Sequence, residues 1–395
     1  MRSALISSRI LVICILLLVA SACAVSKTAT PSLPPVIESK TMTPPPIPTS
    51  SPTPTVVIPS LPVVKAPQLI NLAMFDAQNG WAIDEQHVLR TENGGNTWLN
   101  VTMGGVNSLG YSASSFFRDA GEAWVSLSNA DYTSGTLYHT TDGGLTWTST
   151  PVPFPAGSLQ FMDTMDGFAL VDLGAGAGSQ GIAIYHSGNG GKSWTQVFAH
   201  EPGVDASLPL SGMKNGLSFV DPLRGWIGGA QPQDLYIWLF KTVDGGHSWQ
   251  KLELVLPASS PNIMTSVDAP RFFNSMEGIL PMDVFTTDTG SYKAFYTTTD
   301  SGSTWNVTSW VQNGDTYDFI NVKEGWIWDG ARLYKTNDSA VNWIPLAATF
   351  PPGESLSTLD FVDLTTGWAI TYDSNSHSRL YRTTDGGMTW KTLIK

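Results

Sequence analysis

Between residues 68 and 395 the chain consists of short runs in which hydrophobic and polar residues alternate, and these runs break at Gly, Asn and Asp. Alternation with a period of two predicts β-strands, because successive side chains of a strand point to opposite faces of a sheet. Four types of run recur along the chain. Examples are LQFMD at 159–163, GWAITYD at 367–373, RLYRTTD at 379–385 and TWKTLI at 389–394. The pattern therefore predicts repeated units of four short strands each.

Two motifs alternate along the same region with a period of about 50 residues. The first is an apolar residue followed by x-[DN]-x-x-x-[GA], usually with Trp next, and its Asp or Asn is residue 76, 119, 163, 221, 274, 321 or 363. The second has Thr or Ser two places before Asp or Asn and ends in Trp, and it occupies 90–98, 139–147, 186–194, 241–249, 297–305, 335–343 and 382–390. The sixth copy is degenerate, because Ser339 and Ala340 replace its Gly pair. Seven copies of both motifs in matching order indicate seven repeated units.

Four-stranded antiparallel units in such a series are typical of a β-propeller, whose radial closure hides most sheet edges. We therefore predict an all-β fold, a seven-bladed β-propeller of four-stranded antiparallel blades, over residues 68–395. The first and last units each hold all four strands, so the sequence gives no sign of a blade shared between the chain ends.

The N-terminal residues are typical of an export signal. Arg2 and Arg9 accompany a short apolar run, Ile10 to Ala20, which is too short for a stable membrane span. The string LLLVASAC resembles the end of a bacterial lipoprotein signal. The resemblance implies a signal peptide over residues 1–22 and lipidation of Cys23, and secretion without a lipid is the alternative.

Residues 23–67 are predicted to be an acylated cysteine followed by a tether. The segment is rich in Pro, Thr and Ser, a composition that favours extended polyproline II over a packed fold. The stretch TVVIPSLPVV at 55–64 could add an edge strand, although its prolines argue against a central position. We therefore expect an exported protein anchored to the bacterial membrane or cell surface through an N-terminal lipid only.

Charge and cysteine content exclude several functional classes. The 21 Lys and Arg against 33 Asp and Glu give a net charge of −12, and no basic stretch follows the signal, so we predict no nucleic-acid partner. Cys14 lies inside the signal and Cys23 at its end, which leaves the mature fold without a thiol for disulfide, metal or nucleophile chemistry. No phosphate loop, dinucleotide fingerprint or paired histidine spacing is visible, so we predict no cofactor and no metal.

The second motif resembles the Asp box, or BNR repeat, of bacterial sialidases, sortilin-type ectodomains and photosystem II assembly-factor-like propellers. In these families the box is a fold element, and its residues suit that role: the Asp or Asn can accept backbone N–H bonds and the Trp can bury apolar area between blades. Each box supplies a single carboxylate, whereas calcium takes six to eight oxygen ligands. The predicted structural residues are Asn93, Asp142, Asn189, Asp244, Asp300, Asp338, Asp385, Trp98, Trp147, Trp194, Trp249, Trp305, Trp343 and Trp390.

The combined pattern F-x-D-x-x-x-G-W and T-x-D-G-G-x-T-W is similar to that of exported BNR-repeat propellers of the photosystem II stability/assembly-factor-like family, and the resemblance covers 68–395. It implies a non-catalytic module that docks membrane-protein partners. We therefore predict a monomeric binding or scaffold module for a protein or glycan partner.

Specific binding is expected at the end of the propeller that carries the irregular loops, because both repeated motifs form the tight turns at the other end. Three Trp lie outside the repeated positions, and exposed aromatic rings on such a face suit sugars or peptides. The alternative is that these rings fill the core. The ligand-binding candidates are Trp238, Trp310, Trp328, Tyr132, Tyr292 and Arg271.

A glycosidase is the alternative function. A sialidase needs three arginines at the central face, and by position only Arg271 begins an innermost strand on the loop-rich side, so we exclude that class. Another glycoside hydrolase would need two carboxylates about 5–10 Å apart. Its candidates on the loop-rich face are Glu85, Glu201, Asp205, Asp234, Asp283 and Glu354.

Overall fold

The computed structural model describes residues 61–394 apart from 111–112, 202, 204, 232–236, 257–262, 287–289 and 348–349. All regular elements in these ranges are β-strands, and they belong to one compact unit, Pro59–Lys395. A search of the same ranges for an apolar helix long enough to cross a membrane finds none. The predicted signal, Cys23 and most of the tether lie outside the described residues and stay predictions.

The strands fall into consecutive repeats, each an antiparallel meander. Repeat 1 consists of β2 (Asn71–Met74), β3 (Gly80–Ile83), β4 (Val88–Thr91) and β5 (Trp98–Asn100). Repeat 2 consists of β6 (Ser114–Phe117), β7 (Ala123–Ser128), β8 (Gly135–Thr140) and β9 (Thr148–Val152). Repeat 3 consists of β10 (Ser158–Phe161), β11 (Gly167–Gly176), β12 (Ser179–Ser187) and β13 (Thr195–His200). Repeat 4 consists of β14 (Met213–Phe219), β15 (Gly225–Ala230), β16 (Leu239–Thr242) and β17 (Gln250–Lys251).

The remaining repeats follow the same plan. Repeat 5 consists of β18 (Ile263–Val267), β19 (Arg271–Phe272), β20 (Gly278–Thr286), β21 (Gly290–Thr298) and β22 (Asn306–Gln312). Repeat 6 consists of β23 (Tyr317–Phe319), β24 (Gly325–Trp328), β25 (Leu333–Thr336) and β26 (Ile344–Pro345). Repeat 7 consists of β27 (Ser355–Phe361), β28 (Gly367–Tyr372), β29 (Ser378–Thr383) and β30 (Lys391–Ile394). In repeat 5 the first strand is split, because β18 and β19 both pair with β20.

Hydrogen bonding joins the strands into six sheets rather than seven. Repeats 4 and 5 form one nine-stranded sheet, through a single pairing of Ala230 with Ser266. The all-β fold with four-stranded antiparallel sheets is confirmed, and the count of seven blades stays a prediction. The short strand β1 (Val63–Val64), within the predicted tether, pairs with β5 at the edge of the first sheet.

The last repeat lies against the first, as a propeller requires. The indole nitrogen of Trp368 donates to the carbonyl of Gly94 at 2.9 Å, and the Met74 amide donates to Asp360 at 2.6 Å. Tryptophans at equivalent positions make the same type of contact elsewhere: Trp326 donates to Gly386 of the next repeat. Trp326 and Trp368, which follow the first motif of their repeats, therefore connect neighbouring repeats through indole hydrogen bonds.

The spacing of the first motif has a steric cause. In repeat 7 the ring of Phe361 lies directly on Gly367, so a Cβ at that glycine would overlap the ring. Asp363, between them, accepts the amides of Thr365 and Thr366 at 2.7 Å and closes the turn. The motif is thus a Phe-on-Gly contact joined by an Asx turn.

The second motif forms a turn that rests on the first. Thr383 donates to Asp385 and accepts the amide of Gly387, while Gly386 donates to the carbonyl of Thr365 in the first-motif turn at 2.8 Å. In repeat 5 the hydrogen bonds from Thr304 lower the pKa of the equivalent carboxyl, Asp300, to about 2. Both motifs therefore lie at one end of the fold, the tight-turn end. The opposite end, with the connections between second and third strands and between repeats, is the loop end.

The degenerate sixth copy keeps the same turn. Ser339 and Ala340 adopt φ of 65° and 62°, the left-handed region that glycine occupies at both positions of the other copies except the fifth, where Ser301 has a φ of 60°. Asp338 still accepts the amide of Asn342 at 2.9 Å. The carboxylate hydrogen bonds therefore hold the turn even where the glycines are missing.

Candidate functional site

The first strands of neighbouring repeats are fastened by side chains three positions before the first-motif Asp or Asn. Gln160 both accepts from and donates to the backbone of Phe219, at 2.7 and 3.0 Å. Asp318 accepts the amide of Phe361 at 2.7 Å, as Asp360 accepts that of Met74. Polar residues at this position therefore connect repeat 3 to 4, repeat 6 to 7 and repeat 7 to 1.

Arg271 occupies the same position in repeat 5. Its guanidinium lies 2.6 Å from the carboxylate of Asp318, which is 5% exposed. The expectation that Arg271 begins an innermost strand on the loop-rich side is wrong, because β18 precedes it and β19 places it beside the tight turn. Arg271 thus belongs to the connection between repeats 5 and 6.

Asp360 has an unusual acidity. Burial raises its pKa to about 7, and the negative charge of Asp318 acts in the same direction. The Met74 amide and the charge of Arg271 oppose the rise. The closure between repeats 7 and 1 therefore contains a carboxyl group that titrates near neutral pH.

A second ionic group lies nearer the loop end of repeat 5, where Asp283 is four residues along β20 from Ile279, the strand partner of Arg271. The Lys293 ammonium is 2.5 Å from Asp283 and 3.9 Å from Asp268, and the Tyr317 hydroxyl donates to Asp268 at 3.0 Å. Burial raises the pKa of Asp268 although Lys293 opposes the rise, and burial raises the pKa of Tyr317 well above its usual value. Lys293 and the Tyr317 hydroxyl therefore both bind carboxylates of this group.

A buried lysine lies on the other side of the loop end. The Lys214 ammonium donates to the carbonyls of Gln180, Leu210, Ser211 and Gly212 at 2.8–3.3 Å, and burial lowers its pKa to about 8. It lines a cleft of about 360 Å³. Because its partners are backbone carbonyls, Lys214 fixes the connection between repeats 3 and 4.

Replacement of Lys214 by Met should lower the free energy of unfolding by about 3 kcal/mol, because several buried carbonyls lose their donor. The matched control is Lys323→Met at an exposed position, where we expect a change within about 0.5 kcal/mol. Urea unfolding measures both. Equal stability of the two variants would contradict the structural role of Lys214.

A further cleft, of about 470 Å³, lies where repeats 1 and 7 meet at the loop end. Ile70, which is 46% exposed, and Tyr372 supply apolar lining, and Glu85, His87 and His377 supply polar groups. The His87 ring lies 3.0 Å from the carboxylate of Asp84. The cleft combines the two kinds of side chain that bind ligands.

The structure separates the predicted aromatic candidates. Trp238 is completely buried and Trp328 is 7% exposed against Phe350, so these two rings fill the core and cannot serve as surface platforms. Trp310 is half-buried beside Tyr292, with ring centroids 5.6 Å apart. Tyr132 is 67% exposed at a turn where its φ is 56°.

The predicted catalytic carboxylates are dispersed. Asp283 binds Lys293, and Glu354 binds Arg379 at 2.6 Å and accepts from two hydroxyls. Glu85 lines the cleft between repeats 1 and 7, Glu201 lines another beside the β11–β12 hairpin, and Asp205 is exposed. Asp234 lies outside the described residues. Asp283 and Glu354 therefore bind different cations, in repeats 5 and 7.

Sequence reasoning missed the charged residues that the structure does bring together. These are Asp268, Lys293, Asp318 and Asp360, and the buried Lys214, which binds backbone carbonyls elsewhere, was missed as well. Alignment of the seven first motifs contains a signal for two of them, because Asp318 and Asp360 share one column with Ala73, Phe116, Gln160, Ser218 and Arg271. Within the described ranges no three His, Cys, Asp or Glu side chains are placed to hold a metal ion, and the absence of a metal from the whole protein stays a prediction.

Comparison with known proteins yields structural similarity only. No protein family model and no curated protein matches the sequence. Among solved structures, YCF48 bound to a D1 peptide is 18% identical, with a TM-score of 0.52 over 82% of this chain and 95% of that one. YCF48 from Cyanidioschyzon merolae is 16% identical, with a TM-score of 0.50 over 82% and 97%. A polysaccharide lyase of family PL25, an ulvan lyase, is 10% identical, with a TM-score of 0.46 over 82% and 86%. At these identities the two YCF48 matches establish the propeller fold alone.

Proposed function

We propose that this protein is an exported, membrane-anchored lipoprotein whose propeller is a non-catalytic binding or scaffold module for a protein partner. The partner binds at the loop end, and the acylated Cys23 anchors the chain. Repeats 4 and 5 count as separate blades in this proposal, so the propeller has seven. The repeated turns are Asp boxes, as in BNR-repeat proteins similar to assembly factors.

One observation carries the non-catalytic assignment: two of the predicted catalytic carboxylates are already bound by cations of the fold. Asp283 and Glu354 are bound by Lys293 and Arg379 at 2.5 and 2.6 Å. Glycosidic bond cleavage needs two carboxyl groups that flank one bond. Carboxylates that already bind cations of their own fold are better suited to holding neighbouring residues in place than to acid–base catalysis. The peptide held by the similar YCF48 propeller makes a protein segment the first partner to test.

A glycoside hydrolase is the second candidate, and one observation favours it. Burial raises the pKa of Asp360 to about 7, as the general acid of a glycosidase requires, and Asp318 is a neighbouring carboxyl group. In this arrangement, however, both groups accept backbone amides of the next repeat. We therefore assign them to closure of the fold.

Two assays on the full chain separate the candidates. We expect selection from a phage-displayed library of random dodecapeptides to enrich binders, and we expect no release of reducing ends from a panel of polysaccharides. Peptide binding by the Ile70→Glu variant tests whether the cleft between repeats 1 and 7 takes part. The control is Leu223→Glu, at an exposed tight-turn position. Polysaccharide turnover that Glu354→Gln or Asp360→Asn abolishes would contradict the proposal. Binding to a glycan array without peptide enrichment would replace the protein partner by a glycan.

A further inference from the structure

We propose that the loop end of repeat 5, where its long hairpin overhangs repeat 6, binds a partner segment with an apolar side chain next to lysine or arginine. This inference rests on the proposed function and adds the place of binding and the chemistry of the partner. The site combines an exposed apolar sheet face with the negative charge beside it.

The overhang follows from strand lengths. Strands β20 and β21 of repeat 5 have nine residues each, whereas β24 and β25 of repeat 6 have four each. At about 3.3 Å per residue the difference is on the order of 15 Å. One face of repeat 5 therefore extends beyond the neighbour that covers its lower part.

Contacts identify which face this is. Phe295 packs against Tyr317 and Phe319 of repeat 6, with ring centroids 5.6 and 5.3 Å apart. Lys293, two residues away on the same strand and hence on the same face, lies over the ring of Tyr317 at 5.2 Å. Ser291, the next residue on this face, is paired with Phe285. The face that contacts repeat 6 thus continues to Phe285 at the loop end.

The extended part of this face is apolar and exposed. Phe285 is 42% exposed, and Met264, its direct cross-strand partner, is 47% exposed. Asp283 shares the face with Phe285, because the two residues are two apart on β20. Exposed Phe and Met side chains side by side offer an apolar contact directly above charged groups.

The charge beside this pair is negative. Two carboxyl groups, Asp268 and Asp283, lie 3.9 and 2.5 Å from one cation, Lys293. The side chains of Asp268 and Asp283 remain 35% and 29% exposed. Two carboxyl groups less one cation leave an excess of one negative charge, which attracts a cationic group. A peptide with Leu, Ile or Phe beside Lys or Arg satisfies both features.

The test selects peptides that bind the full chain from the phage-displayed dodecapeptide library. It measures which residues the selected peptides contain and which variants of the protein weaken their binding. We expect enriched sequences to contain Lys or Arg next to an apolar residue. Binding of the synthetic peptide should weaken about tenfold in Phe285→Ser and weaken with added salt. Met264→Ser is the second variant at the site. Leu223→Ser, which removes an apolar side chain that is 59% exposed at the tight-turn end, is the matched control.

The outcomes separate this inference from the proposed function. Enriched peptides that are acidic, or that bind Phe285→Ser and Met264→Ser as tightly as wild type, overturn the inference and leave a peptide-binding module in place. Absence of any enriched peptide overturns both. Loss of binding in the Leu223→Ser control as well would locate the site elsewhere and also overturn the inference.

Discussion

Replacement of Phe361 by alanine is expected to lower the free energy of unfolding by about 3–5 kcal/mol, the usual range for a fully buried aromatic ring. Phe361 stacks on Trp326 of the preceding repeat, with ring centroids 3.7 Å apart and parallel planes. It also covers Gly367, where a Cβ would overlap the ring. Truncation to alanine therefore leaves a cavity that removes both the contact between the repeats and the contact within the first motif.

The matched control is Leu223→Ala, which removes an apolar side chain that is largely exposed at a first-motif turn. We expect a change within about 0.5 kcal/mol there. Urea unfolding of both variants measures the difference. A loss below about 1 kcal/mol in Phe361→Ala would contradict the role of the Phe-on-Gly contact.

The second large effect concerns pH. Asp360→Asn should make the protein more stable than wild type at about pH 8, by on the order of 3 kcal/mol, and should leave stability near pH 4 almost unchanged. The native pKa of Asp360 is about 7, whereas an unfolded aspartate titrates near about 3.9. Between these values the native state holds more protons than the unfolded state, so wild-type stability falls as pH rises. Asparagine can accept the Met74 amide without this cost.

The control for pH dependence is Asp131→Asn. Asp131 lies in an exposed turn, and the Thr133 backbone and hydroxyl hold its pKa below the usual value. It is therefore ionised throughout the window, and its variant should follow the wild-type curve in parallel. A wild-type stability that does not fall between about pH 5 and 8 relative to Asp360→Asn would contradict the assignment.

The strands and turns could be predicted from the sequence because their causes are local. The Phe361–Gly367 contact spans six positions, and the hydrogen bonds of Asp385 span four. Such short-range requirements leave similar residues at the same positions of the copies. The propeller fold follows from their repetition, and the structural neighbours confirm that fold.

The charged groups of the site could not be predicted in the same way. Asp360 reaches Met74 across 286 positions, and Asp318 reaches Arg271 across 47. The pairs exist only because successive repeats bring their first strands together. Arg271 was misplaced for the same reason: the split of the first strand of repeat 5 into β18 and β19 left no clear mark in the alternation pattern.

Burial of the two tryptophans has a related cause. Trp238 packs among Phe240 and other core residues, with ring centroids 4.7 Å apart, and Trp328 packs against Phe350. Their positions outside the repeated motifs suggested a role in binding. Irregular connections also need apolar side chains to fill the space they enclose, and these two rings do so.

The central claim is that repeated residues build the ring and that exceptions to the repeat at the loop end bind the partner. Hydrogen–deuterium exchange of the full chain, with and without the selected dodecapeptide, tests it most directly. We expect slower exchange on binding in Ile263–Val267 and in the part of β20 and β21 next to Phe285, with unchanged exchange in the turns of the two motifs. Protection confined to the tight-turn end, around Asp385 and its equivalents, would contradict the account.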